Sequence, residues 1–163
     1  MSALDTLQRF EVDPDRCRQY QVLCLPENIE SAANRDELFD AGDTADLSKR
    51  LKAAGLRCAN SYDLGIDVGV LDRRGADLWL GFVWIMDNLA IPVVVGVVST
   101  VLASMIERKS KSTPPAIQQS VPKVHLALGL LRGDDLTTLK YKGDADTLIR
   151  VLNAIKPDEG SDE

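Results

Sequence analysis

The chain has 163 residues, 45% of them hydrophobic, with 25 acidic against 19 basic side chains and a formal net charge of −6. That length and apolar content suit one compact domain with a real core, or a small domain plus an appendage, and exclude a chain disordered as a whole. The acidic balance, with a pI near 4.8, argues against nucleic acid as a partner, because phosphate contacts need a basic surface.

Cys17, Cys24 and Cys58 are odd in number and lack CxxC spacing, so neither a disulfide framework nor a zinc site is indicated. They read as reduced thiols of a cytoplasmic protein. The opening MSALDTLQRFEVD has no basic region followed by an apolar run, and neither Ser2 nor the closing GSDE suits lipidation.

Ser2 to Phe10 predicts a short helix with Leu4, Leu7 and Phe10 on one side, closed by Asp13-Pro14. Gln19 to Leu25 reads as a strand ended by Pro26, and polar Glu27 to Gly42 as a loop carrying one helical turn. Asp43 to Ala54 is an amphipathic helix with Asp43 or Thr44 as N-cap and Gly55 past its end; Leu56 to Asn60 is a short strand. Residues 1–74 thus form an N-terminal α/β part, and with no GxGxxG or Walker pattern no cofactor is expected. In Asp63 to Asp77 the aspartates lack EF-hand spacing, and Leu64, Ile66, Val68 and Val70 alternate as a strand face, so no metal is expected. Arg73-Arg74-Gly75 reads as the turn out of it.

Leu78 to Ile106, LWLGFVWIMDNLAIPVVVGVVSTVLASMI, dominates the chain. From Ala76 to Met86, with Trp79, Phe82 and Trp84, apolar residues fall on every side of a helical wheel, and a helix there must be covered all round. Asp87-Asn88 and Pro92 predict a break, followed by a second helix from about Pro92 to Arg108. The alternative makes Ile91 to Val98 a buried parallel strand. Gly96, Thr100 and Ser104 stand four apart, a spacing that lets helices approach closely, and Arg108 and Lys109 stop the run. Its aliphatic residues favour a bilayer by roughly 3 to 6 kcal/mol, while Pro92 and the hydroxyl residues oppose insertion and Asp87 at mid-span costs about 3, a balance near zero that leaves burial in protein the preferred reading over membrane contact. Residues 75–109 are read as an apolar helical segment.

Ser110 to Pro122 is a linker by composition, and residues 123–157 form a hairpin–helix module before an acidic tail, 158–163. In it, Lys123 to Leu131 and Leu136 to Lys142 flank an Arg132-Gly133-Asp134-Asp135 turn, and Asp144 caps a helix to Ile155. The only histidine, His125, lies on the strand face opposite Val124, Leu126 and Leu128, where an enzyme could use it with Cys24, Cys58 or an acid. An apolar segment, a basic stop, a linker and a module carrying YKGDADTLIRVL loosely resemble small accessory components of bacterial conflict systems, a likeness of layout from which no residue role is taken.

The fold class expected is therefore α+β, a small sheet with a C-terminal hairpin–helix module and a central apolar helical pair. The function expected is that of a non-enzymatic interaction or accessory protein. It would self-associate as a homo-oligomer or dock a protein partner through 78–106, with Trp79, Phe82, Trp84, Asp87, Gly96, Thr100, Ser104, Arg108 and Lys109 as interaction residues. The alternatives are a membrane-associated anchor with a cytosolic hairpin–helix head, and a small enzyme using His125.

Overall fold

The structure, a computed structural model, describes residues 3–73, 77–86, 91–112, 123–132 and 135–154. In chain order the elements are α1 (Ala3–Gln8), α2 (Pro14–Cys17), β1 (Val22–Leu25), a 3-10 turn (Arg35–Glu37), β2 (Phe39–Ala41), α3 (Thr44–Ala53), β3 (Cys58–Ala59), β4 (Gly69–Leu71), β5 (Leu78–Ile85), α4 (Ile91–Ser112), β6 (Lys123–Arg132), β7 (Asp135–Asp144) and α5 (Ala145–Ala154). This is an α+β fold with a mixed five-stranded sheet, β3-β1-β5-β6-β7, and a separate parallel pair, β2-β4.

The expected helical pair is corrected in its first half. Leu78–Ile85 is the central strand, antiparallel to β1 and parallel to β6. A strand covered on both faces has no polar side to show, so its sequence runs continuously apolar and imitates a buried helix. One further feature hides the alternation. Leu78, Leu80, Val83 and Ile85 pack on the face covered by α3, α4 and α5, whereas Phe82 and Trp84 pack on the other, so the odd–even order reverses within the strand. The reversal occurs at a β-bulge, where Trp79 pairs with His125 and Gly81 with Leu126, leaving Leu80 as the extra residue. Gly81 has φ +66°, a left-handed conformation that glycine adopts without steric cost, and an added Cβ would lie 3.1 Å from the Leu25 carbonyl oxygen.

Thr44, fully buried at the start of α3, donates its hydroxyl to the Leu80 carbonyl at 3.1 Å and thereby supplies a partner at the bulge. Thr44→Val keeps the shape but removes that donor. It is expected to cost about 1 to 3 kcal/mol, read as a lower urea midpoint with an unchanged slope. Asp43 does not cap α3 with its side chain; its carboxylate accepts the Trp79 N–H at 2.9 Å, tying the helix start to β5 instead.

The second half of the apolar run is helical, as expected, and the strand alternative for Ile91 to Val98 does not hold. Joining two parallel neighbours requires a crossover, and α4 supplies it on the sheet face shared with α3 and α5. Ile91, Val95, Val98, Leu102 and Met105 are buried in this chain's own core. Among the described residues no helix is long and apolar enough to cross a membrane. The hairpin β6–β7 and α5 form as the pattern predicts, with Leu148 and Leu152 on the buried side. On the opposite sheet face, α1, α2 and the turn after β1 bring Leu7, Phe10, Cys17 and Ile29 against Leu23, Leu25, Phe82 and Trp84.

The alternating face drawn from Leu64 to Val70 is also corrected. Only Gly69–Leu71 is strand, paired with Phe39–Ala41; Leu64 and Ile66 are buried from a turn, and Val70 is exposed. The turn forms because Asn60 and Asp63 bond each other's backbone N–H, a local alternative to a ladder. Asp63 also binds Lys52.

Candidate functional site: a cleft beside the Trp79–His125 stack

The first and second helices leave the β5–β6–β7 end of their sheet face partly open. There, β5 and β6 place Trp79 and His125 side by side, and the pleat sends both side chains to the same face. Their rings stack with centroids 3.5 Å apart and planes 4° from parallel. The Arg73 guanidinium covers the indole at 3.9 Å and makes a bidentate pair with Glu27, both bonds 2.7 Å. Such a fork fixes geometry as well as charge. Lys140 stands across the opening, 6.0 Å from the Phe82 ring and 3.4 Å from Glu30.

Between these groups lies a cleft of about 230 Å³ lined by Glu27, Trp79, Gly81, Phe82, His125, Leu126, Ala127 and Lys140. Its floor has room because Ala127 is short and Gly81 has no side chain, and it is apolar because its lining includes Phe82, Leu126 and Ala127. Its rim carries one acid already paired with Arg73 and one lysine.

Asp77 organises the entrance. One carboxylate oxygen accepts the Lys123 backbone N–H at 2.9 Å and the other meets His125 Nε2 at 3.0 Å. Partial burial by itself would raise the Asp77 pKa, but these hydrogen bonds and the neighbouring charges outweigh it and hold the carboxyl below its usual value. An ionised Asp77 can only accept, so His125 Nε2 is the donor of this bond.

A pH effect follows. A carboxyl whose folded pKa is depressed stabilises the fold above its unfolded value, and that contribution is lost as pH falls through the folded one. Asp77→Asn is therefore expected to lower the urea midpoint at neutral pH and to flatten its decline between about pH 5 and pH 2 relative to the unsubstituted chain.

The expected interaction residues separate into three groups. Trp79 and Phe82 wall the cleft, but from a strand; Trp84 is a core residue, 1% exposed. Gly96, Thr100, Ser104 and Arg108 lie on the exposed side of α4, across the sheet from the cleft. There the Thr100 hydroxyl donates to the Gly96 carbonyl and Arg50 donates to Ser104 Oγ. Asp87 and the side chain of Lys109 lie outside the described residues.

The idea of His125 acting with a cysteine is corrected. Cys24 and Cys58 sit on the helix-covered face, their sulfurs 3.7 Å apart, and His125 projects from the opposite one. Its acid partner is Asp77. The sequence reads Arg73 only as part of a turn and gives Glu27, Asp77 and Lys140 no role, since nothing in their local patterns distinguishes them from surface charge.

A larger hollow of about 420 Å³ lies at β2, lined by Asp40, Asn60, Tyr62, Asp67 and Val70 among others. Burial raises the Asp40 pKa, partly offset by the hydrogen bond from Ser61. Tyr62 and Val70 on its wall are largely exposed, and it has no stacked aromatic wall like that of the Trp79 cleft. Among the described residues no group of three or more His, Cys, Asp or Glu is placed to hold a metal ion.

No protein-family model, curated protein or solved structure matches this chain.

Proposed function

We propose that this chain is a non-enzymatic interaction protein that receives an apolar side chain of a protein partner in the cleft beside Trp79. The observation that carries the reading is the prearranged wall: Arg73, Trp79 and His125 are stacked and held from both ends by Glu27 and Asp77 around a cavity that the described side chains leave open. A rigid aromatic wall with an apolar floor and a charged rim is how binding sites combine contact area with low ordering cost. About 230 Å³ accommodates one large apolar side chain. The docking part of 78–106 is then Trp79 to Phe82, since the apolar side of α4 is occupied by the sheet.

The test is a titration with N-acetyl-tryptophanamide and N-acetyl-leucinamide, read by amide NMR shifts. Saturable shifts at Gly81, His125 and Ala127, abolished by Trp79→Ala, are expected for at least one probe. Unmoved cleft amides with both probes would remove the reading.

A second reading rests on the Asp77–His125 pair, an acid-oriented imidazole at the edge of the cleft, which is the arrangement of a general base. Under it, a function identified in cells is lost on His125→Ala but is also lost on Asp77→Asn. Under the binding reading Asp77→Asn, which retains a hydrogen-bonding side chain, weakens binding only modestly.

A further inference from the structure

The sheet ends on β7, which among the described residues has β6 as its one strand neighbour, whereas the opposite end is β3, two residues long. The ten-residue edge is about 34 Å long, and among the described residues no strand pairs with the backbone groups on its outer side, which makes it a template for another strand. We infer that β7 pairs antiparallel with β7 of a second copy of this chain, across a two-fold axis at Leu139.

The side chains of β7 select both the occupant and the register. Tyr141 packs against the helix-side core, so Thr137, Leu139 and Tyr141 share that face; Lys140, reaching Phe82 and Glu30, marks the other. Leu139 is 40% exposed, a large apolar side chain left open on the sheet's edge strand. With the axis at Leu139, it meets Leu139 of the second copy. Thr137 then faces Tyr141, Thr138 faces Lys140, Leu136 faces Lys142 and Asp135 faces Gly143. No like charges oppose, and an aromatic lies beside a β-branched residue, a favourable cross-strand pair. Moving the axis to Lys140 would set two ammonium groups against each other, and moving it to Thr138 would leave Leu139 without its apolar partner. Self-complementarity about one residue is a property a two-fold interface needs and a foreign peptide does not.

Light scattering of the full chain is expected to give twice the 17.8 kDa monomer mass at tens of micromolar. Leu139→Lys and Leu139→Glu, each checked by circular dichroism, should raise the dissociation constant about tenfold or more, and an equimolar mixture of the two should restore the dimer through opposite charges. If either variant misfolds, cysteine substitution decides: Leu139→Cys should cross-link to itself under mild oxidation, while Thr137→Cys, which faces Tyr141, should not. A monomer at every concentration, a dimer indifferent to Leu139→Lys, a mixture that stays monomeric, or equal cross-linking at both positions would overturn the inference. None of these outcomes depends on the cleft being a docking site.

Discussion

Replacing Trp84 with alanine is expected to remove about 3 to 5 kcal/mol of stability, a large share of the about 5 to 15 kcal/mol that holds a domain folded. Trp84 is 1% exposed near the C-terminal end of β5, opposite Leu23 on one side and Gly129 on the other. The glycine makes the room: a Cβ at 129 would stand 2.6 Å from Trp84 Cδ1 and 2.9 Å from a Leu136 methyl carbon. Truncation thus opens a cavity that the rigid strand cannot collapse around. The indole nitrogen makes no hydrogen bond among the described atoms, so its burial is itself a cost. Trp84→Phe gives up volume but also that unpaired donor, and is expected to lose less than about 1.5 kcal/mol. Urea unfolding of both variants provides the check. Equal losses would mean that the indole N–H has a partner that matters.

The second large effect concerns α4. Leu102 is fully buried between α4 and the sheet, and Leu102→Ala is expected to cost about 2 to 5 kcal/mol. Thr100, two positions away, is exposed, and Thr100→Lys should leave stability within about 0.5 kcal/mol. The contrast separates the readings of the apolar run. A helix whose buried stripe is this chain's own core responds strongly at 102 and weakly at 100. A helix whose Gly96, Thr100 and Ser104 side also docks a neighbour or enters lipid would change its mass or its membrane recovery on Thr100→Lys.

The two experiments bear on the long apolar run, which reads from sequence as two helices and folds as a strand followed by a helix. The helix α4 was legible because its features are local: a proline opening, a run longer than a strand, and cations at its end. The hairpin and α5 were legible for the same reason, alternation across a short turn and an acid at the cap. By contrast, LWLGFVWI carries no usable period. Burial on both faces removes polar alternation, and the Gly81 bulge shifts the odd–even order halfway along. An isolated glycine inside such a run was the one available sign of a bulge.

The candidate site was legible only in part. Trp79 and Phe82 could be named because large aromatics in an apolar run attract notice, and His125 because it is the only histidine. Their arrangement could not. Arg73 meets Glu27 from 46 positions away and Asp77 meets His125 from 48, distances along the chain at which no periodicity informs pairing.

By itself, then, the sequence determined an α+β domain with helices near 43–54, 92–108 and 144–155 and a hairpin from 123, since caps, turns and amphipathic spacing act over a few residues; the structure carries the second of them on to Ser112, into the stretch read as linker. Tertiary structure alone decided that the first apolar segment is the central strand, that the small-residue stripe of α4 faces away from the core, and that four charges from separate segments surround one aromatic stack. The reason is physical: strand pairing and burial are satisfied between distant parts of the chain, and the same apolar residues can meet those demands as helix or strand until their partners are in place.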